Sequence, residues 1–517
     1  MNWFALLFAA VFCVAWFFTV RYDVQMFQQN SYRRGRYFTW LKGGNLLAHR
    51  RGWTLLLPLL ALDGRTAWGA AALMGWLAER EAAETYRQPL VFTARVKRLY
   101  ATCAVLCALT LYAAWTVSPA VFYAAAGGIL VLSNLFMLLA DAVNKPLERA
   151  IGRWYYCDAR RRLESMRGLR VIGITGSFGK TSTKHFLYRI LSEKYNVLMT
   201  PGNYNTTLGV VRTIRERLRP HHQVFLVEMG AKQRGDIREI CELVHPETGI
   251  VTSVGEMHLE TFGSLENVRR TKFELIDALP EGGTGVVNLD SEPIALARPA
   301  RPTVGYAIAA EGADYRAVNV SYTPAGTTFD VQTPAGLRKG YETKLLGEGN
   351  LLDILACLVV ADRLGVPERK QRIAVAQLQP VEHRLSRRTT PGRVTVLDDA
   401  YNSNPQGARM ALAVLREFRI EAGGRRIVVT PGFVELGARQ AAANRELGRG
   451  MAAACDYAVV VNATNREAIA AGLAEAGFPA DRIVLADTFA EASARLAGCL
   501  RAGDVVLYEN DLPDSFR

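Results

Sequence analysis

The 517-residue chain is short of patterned cysteine: its eight thiols are scattered and no CxxC pair occurs. That leaves no sign of a disulfide framework or a structural zinc site, and a reducing compartment is the default. Cys103 and Cys107 share one face of an apolar helical stretch, where small buried thiols are expected. Fixed-period repeats and low-complexity tracts are also missing, as is a basic stripe on any recognisable nucleic-acid-binding fold. The net charge of +13 therefore suits an anionic membrane face or phosphorylated substrates, and nucleic acid is not an expected partner. The length exceeds one ordinary core, so two or three soluble domains plus extras are expected.

What the chain has in excess is apolar sequence near its start. Half of all residues are hydrophobic, and the apolar content is uneven and densest in the first 140 positions. Residues 2–20 form an uncharged run long enough to cross a bilayer. No basic leader precedes it and only Arg21, Tyr22 and Asp23 follow, so an anchor is expected rather than a cleaved signal peptide. Stretches 100–117 and 119–140, parted by Ser118-Pro119, predict a tight transmembrane hairpin. Segment 21–52 carries Arg21, Arg33, Arg34, Arg36, Lys42, Arg50 and Arg51 against the single acid Asp23, which places it on the cytoplasmic side. A hairpin at 100–140 returns the chain to its starting side, so stretch 53–78 makes no net crossing if the later domains use ATP. It reads as a re-entrant or interfacial helix pair bent at Asp63-Gly64-Arg65, with a full span as the alternative.

From about residue 168 the texture changes to short β-branched runs alternating with helical patterns. Runs 169–175, 224–228, 249–254 and 285–289 predict buried parallel strands of a doubly wound α/β sheet. Residues 300–345, rich in Gly, Pro and Thr, predict a small β-rich addition. After about 385 the alternation resumes at 394–397, 426–429, 457–461, 483–485 and 505–508, which predicts a second α/β domain.

The first of these strands runs into Gly176-Ser177-Phe178-Gly179-Lys180-Thr181-Ser182 and then a helical pattern. Glycines let backbone amides wrap phosphate oxygens, and the helix N-terminus adds positive potential. Lys180 can reach the outer phosphates, and Thr181 or Ser182 can hold Mg²⁺. The strict Walker spacing fails, because Ile174 stands where the first glycine belongs and Gly173 comes one residue early. Glu228 ends the apolar run VFLVE, and a strand-end carboxylate facing a phosphate loop is placed to share a Mg²⁺ with Thr181.

GITGSFGKTSTK resembles the nucleotide loop of the Mur ligases, which use TGxxGKT. In the family's order follow TPGNYNTTLGV (200–210), VEMGAKQRGDI (227–237), TSVGEMHLETFGSLENV (252–268), RTKFELI (270–276), EGNLLDILA (348–356), HRL (383–385) and DDAYNSNP (398–405). The likeness covers roughly 168–500 and leans toward the branch that adds a dipeptide in peptidoglycan precursor synthesis. It implies a P-loop ATPase-like central domain over 168–384 and a Rossmann-like C-terminal domain over 385–517, after a membrane region over 1–150 and a linker over 151–167. It also implies ATP and Mg²⁺ as cofactors, and an ATP-dependent peptide ligase that activates a carboxylate as an acyl phosphate for attack by an amine.

The resemblance further implies roles for single residues. His258 would bind a second Mg²⁺, and Lys272 would support a metal, in many relatives as a carbamate. Asn350 would read adenine, while Arg384 and Asp399 would reach phosphate and ribose from the C-terminal domain. Tyr401, Asn402 and Asn404 would line the nucleotide or amine site, although Asn, Ser and Pro in YNSNP also favour a plain turn. Asn203, Asn205 and Thr206 would face the carboxylate substrate, a cell-wall precursor. The likeness breaks at two places. Membrane helices stand where the family carries a domain gripping a UDP-sugar, and TPGFVELG (430–437) and LYENDLPDSF (507–516) depart from its C-terminal loops. A related ligase acting on a polyglutamate or a lipid-linked glycopeptide, or a membrane NTPase that ligates nothing, are the competing expectations. All three place the catalytic domains in the cytoplasm at the cell membrane.

Overall fold

The computed structural model describes residues 3–30, 32–42, 67–83, 89–323, 325–401, 404–418, 420 and 423–512. They form two units, one ending at Trp154 and the other running from Tyr155 to Leu512.

The first unit is helical. Among the described residues two helices, Leu6–Gln29 and Ala94–Trp115, are long and apolar enough to cross a membrane. Helices Pro119–Val131 and Ser133–Glu164 amount to a third candidate only if taken together, because they meet at 79°. Ser118 caps the first of them by accepting the Val121 amide at 3.2 Å, and Pro119 at its first position starts the helix cleanly. Residues 116–118 thus join the two helices. The second arm, expected as one helix over 119–140, is instead broken at Leu132, whose backbone leaves the helical region. Ser133, just past the break, donates its hydroxyl to the buried carboxylate of Asp23, an acid that needs a donor where water is excluded. Of stretch 53–78, residues 53–66, with Asp63-Gly64-Arg65 among them, lie outside the described residues; 67–78 belong to helix Ala67–Ala83, which packs along Trp3–Gln29. Cys103 and Cys107 are free and buried.

The second unit holds two sheets. The larger has nine strands in the order β2-β3-β1-β4-β5-β6-β7-β8-β9. These are Arg170–Thr175 (β1), Val197–Met199 (β2), Val224–Glu228 (β3), Thr248–Val251 (β4), Thr284–Asn288 (β5), Thr303–Ala307 (β6), Tyr315–Thr323 (β7), Gly326–Thr333 (β8) and Gly336–Thr343 (β9). Strands from β2 to β7 pair in parallel, and β7, β8 and β9 pair antiparallel. The β-rich segment 300–345 thus adds strands to the edge of the main sheet. Helix Gly347–Arg363 is buried on almost every side from Leu351 to Ala361 and forms the core with β1, β3 and helix Lys180–Leu191. Its run LLDILACLVVA leaves it no polar face, so it can only be an interior helix.

The smaller sheet is ordered β10-β11-β15-β12-β13-β14. Its strands are Ser386–Thr389 (β10), Thr395–Asp399 (β11), Arg426–Thr430 (β12), Tyr457–Val461 (β13), Ile483–Ala486 (β14) and Val505–Glu509 (β15), parallel except for β10 against β11. Residues 151–164, expected as linker, are helical. Ala159 is fully buried, with Tyr155, Tyr156, Leu163 and Met166 packed on the cluster that contains Val171, Val210 and Phe225.

Candidate active site

Register decides where the site lies. Ile174 of β1 stands beside Glu228 of β3, and Thr175 beside Val251 of β4, so three parallel strands end together. The crevice outside the carboxyl ends of such strands is where open α/β sheets take ligands. From β1 the chain turns through Gly176 (φ 155°) and Gly179 (φ 82°) into helix Lys180–Leu191. A Cβ on Gly176 would meet Thr252 Oγ1 at 2.0 Å, and one on Gly179 would meet Asp353 Oδ1 at 2.5 Å. Only glycine fits either position. The loop is held from behind: the Phe178 amide donates to Ser253 Oγ at 2.8 Å, and Ser177 Oγ accepts the Gly255 amide at 3.0 Å.

Lys180 folds back over this loop and donates to the carbonyls of Gly176 (2.6 Å) and Ser177 (3.1 Å). Burial pushes its pKa down to about 8, with Glu228 pulling the other way. A cation in that state is short of negative charge. Phosphate oxygens would supply it.

Glu228 is the hub beside the loop. Its Oε1 accepts from Thr181 Oγ1 at 3.2 Å and Asn205 Nδ2 at 3.1 Å, and its Oε2 from Lys184 Nζ at 2.9 Å. Lys184 also donates to the Gly202 carbonyl at 2.6 Å. Both partners of the ion pair are almost wholly buried. Burial alone would raise the Glu228 pKa, but Lys184 and Lys180 outweigh it and hold the carboxyl below its ordinary value. An ionised carboxylate and a hydroxyl converging in this way suit an oxygen-seeking divalent cation.

The remaining expected residues fall into separate places. Thr181, Asn203, Arg384 and Tyr401 line one cavity of about 610 Å³ with His185 and Arg189. There Asn203 Nδ2 donates to the Tyr401 hydroxyl at 2.5 Å, and the Arg384 guanidinium lies 4.4 Å from the Tyr401 ring centre. Asp399 accepts the Leu385 amide at 3.0 Å. His258, in left-handed backbone (φ 51°), pairs through Nδ1 with Glu435. Burial lowers its pKa against that carboxylate's pull. Lys272 is buried on helix Leu265–Asp277, and burial with the nearby Lys180 charge brings it down to about 7. Among the described residues no group of three His, Cys, Asp or Glu side chains is placed to hold a metal by itself.

Three expected residues carry local duties. Thr206 caps helix Thr207–Arg217 by accepting the Gly209 amide at 3.3 Å. Asn404 caps helix Pro405–Glu417, its Oδ1 accepting the amides of Gln406 and Gly407. Asn350 donates to the Leu346 carbonyl at 2.8 Å. Ser182 is buried within its helix, and Asn402 lies outside the described residues.

Sequence reasoning missed Lys184, Asp353 and Glu435. Lys184 shares a helix face with Leu187 and Leu191, three and seven residues on, and a lysine on a buried face needs an acid. Asp353 sits fully interior, accepting Thr183 Oγ1 at 2.9 Å, and burial raises its pKa well above the ordinary value. Nothing local marked Glu435, which meets His258 across 177 residues of sequence.

Comparison with known proteins identifies the family of the two sheet domains. The chain matches the models of the Mur ligase middle domain over residues 174–361 and of the Mur ligase glutamate ligase domain over 383–508. It is 31% identical over 332 residues to the UDP-N-acetylmuramoyl-tripeptide–D-alanyl-D-alanine ligase of Escherichia coli, covering 64% of this chain and 71% of that protein. The Mycobacterium tuberculosis protein of the same name is 33% identical over 362 residues, with 66% and 70% covered. Among solved structures, MurF from Acinetobacter baumannii superposes with TM-score 0.61 at 28% identity, over 68% of this chain and 75% of that one. The MurF ligase from Thermotoga maritima in complex with ADP gives TM-score 0.60 at 29% identity, over 69% and 80%. Residues 1–154 lie outside both family models.

Proposed function

The chain belongs to the Mur ligase family and is an ATP-dependent ligase of that type, and we propose that it works at the membrane, joining a carboxylate-bearing cell-wall precursor to the amine of an amino acid or dipeptide. One observation carries the reading: the glycine cradle and Lys180 sit directly beside the Thr181–Glu228–Lys184 network and a cavity partly walled by Arg384 and Tyr401.

A carboxylate resists attack by an amine because oxide is not a leaving group. Passing the γ-phosphoryl group to it makes an acyl phosphate, from which phosphate departs. Lys180 and the loop amides stabilise charge on the transferring group, the largest share of such catalysis. Thr181 and Glu228 would hold a Mg²⁺, which would supply positive charge to offset that of the phosphates. Lys184 keeps Glu228 ionised and fixed in direction. His258 and Lys272 would serve a second Mg²⁺, with His258 first leaving Glu435. The neutral amine that burial favours at Lys272 is the form that takes up CO₂, which supports a carbamate there. Arg384 and Tyr401, on the C-terminal part of the chain, would close over bound nucleotide and exclude water.

Two candidate spans, Leu6–Gln29 and Ala94–Trp115, support attachment to the cytoplasmic membrane with the ligase domains in the cytoplasm. Because residues 1–154 stand apart from the family models, a lipid-linked acceptor is the second substrate reading. The test is to supply ATP, Mg²⁺ and D-alanyl-D-alanine with either UDP-muramoyl-tripeptide or its lipid-linked counterpart, following phosphate release and product mass. Release that needs both carboxylate and amine is expected. Release that needs neither would refute the ligase assignment for these substrates.

A further inference from the structure

We propose that the helical unit carries its own anion site, built around Asp141, which takes a phosphate or diphosphate group. Asp141 is almost fully buried and holds two cations, Arg34 Nε at 2.8 Å and Arg95 Nη2 at 3.4 Å. Two guanidinium groups against one carboxylate leave a surplus positive charge. The surplus is matched by unmet hydrogen bonding. Arg34 Nη2 and Arg95 Nε are buried without a hydrogen-bond partner among the described residues, and so is Asn144 Nδ2. Asn144 is 9% exposed and lies three residues beyond Asp141 on the same helix. Its Oδ1 is already used, accepting from Thr102 Oγ1 at 3.0 Å.

Buried charged donors without acceptors are costly, so this arrangement suits an occupant rich in acceptors and negative charge. Phosphate answers both needs, since its oxygens match the planar donor fork of arginine. The scaffold is fixed rather than floppy. The Arg95 guanidinium lies 3.9 Å from the centre of the Tyr32 ring, and Arg95 is the second residue of helix Ala94–Trp115, whose N-terminus Thr93 caps. That N-terminus adds positive potential of its own. The position is also informative. Arg95 opens one candidate span and Arg34 follows the end of the other, Leu6–Gln29, so the cluster stands where apolar helix gives way to polar chain. Lipid phosphates occupy that level of a bilayer.

The phosphate could belong to a lipid headgroup or to a soluble diphosphate. The headgroup case rests on the membrane reading above, and one experiment separates all of these. Full-length protein goes into phosphatidylcholine nanodiscs carrying a minor fraction of phosphatidic acid, and retained phosphatidic acid is measured with and without inorganic pyrophosphate. Wild type should enrich phosphatidic acid over phosphatidylcholine, and Arg34→Gln/Arg95→Gln should lose at least about tenfold of that preference. ATP binding should not change. Asp141→Asn, which removes the competing carboxylate, should tighten retention. Displacement by pyrophosphate assigns the site to soluble diphosphates, and retention despite it assigns the site to headgroups. A folded double variant with undiminished preference overturns the site, as does an Asp141→Asn variant that binds more weakly. Flotation on pure phosphatidylcholine vesicles tests membrane attachment separately, because that result does not depend on headgroup charge.

Discussion

The two units bury charge in opposite ways. In the catalytic unit, Glu228 and Lys184 are both nearly inaccessible, yet Thr181, Asn205 and the Gly202 carbonyl complete their hydrogen bonding. In the helical unit, Asp141 is matched against two arginines whose further donors stay unmet. A completed network makes a rigid support, because each member is fixed by the others. An incomplete one is a place for something else to bind. The catalytic machinery therefore rests on a self-sufficient scaffold, while the helical unit holds charge in reserve.

The sharpest way to break that contrast is at Lys180. It is the one lysine of the site that leans only on loop carbonyls, so removing it should leave the scaffold whole. Lys180→Ala should cut ligation by about 10²–10³-fold or more, as loss of a charge-stabilising donor does. Its melting temperature should stay near wild type. Turnover close to normal in a folded variant would remove Lys180 from the phosphate site.

Glu228 should behave differently. Glu228→Ala strands the buried Lys184 ammonium, and breaking such a pair costs about 3–5 kcal/mol. Thermal unfolding should register the loss directly, beside the fall in turnover. The double change Lys184→Met/Glu228→Gln should recover most of the stability and none of the Mg²⁺ dependence. If Glu228→Ala melts like wild type, the pair is no scaffold.

How far these features could be read in advance follows the same division. Strand β1, the glycine loop and Lys180 announce themselves within twelve residues, because local backbone demands and phosphate chemistry coincide there. The parallel strands were legible for a similar reason: fully buried strands must be continuously apolar. The pairing of His258 with Glu435 is a meeting of distant segments and leaves no local trace. The break at Leu132 was hidden because an apolar run looks the same whether straight or bent by 79°. Residues 151–164 read as a linker since their charges, Arg153, Asp158, Arg160 and Arg161 among them, mask a packed stripe of buried Ala159 and half-buried Tyr155 and Leu163.

That last point sets where the chain can be divided. A truncation beginning at Tyr155 keeps the packed helix end and the Arg215–Asp158 pair at 2.7 Å, and should bind ATP with nearly unchanged affinity. One beginning at Gly168 removes buried Ala159 and the partly buried Tyr155, Tyr156, Leu163 and Met166, a loss on the order of several kcal/mol, and should melt lower. Equal melting of the two would show that residues 155–167 add nothing to the catalytic unit. Loss of ATP binding in a well-folded Tyr155 truncation would mean that the helical unit helps to build the nucleotide site.

The smallest expected effect concerns a charge that is only partly compensated. Burial pushes the Asp399 carboxyl up to about 6 from an ordinary 3.8, against the opposing pull of Arg384 and the Leu385 amide. Between those values the folded protein holds a proton that the unfolded chain has released. Stability therefore falls as pH rises through that window, and the cost is complete above about pH 6. Asp399→Asn keeps the acceptor for the Leu385 amide at 3.0 Å and removes the titration. Relative to wild type the variant should gain melting temperature as pH goes from about 4 to about 7. Without nucleotide the measurement isolates the carboxyl from any ribose contact. A difference that stays constant across that range would mean that Arg384 compensates the charge fully, placing Asp399 with Glu228 among the satisfied groups.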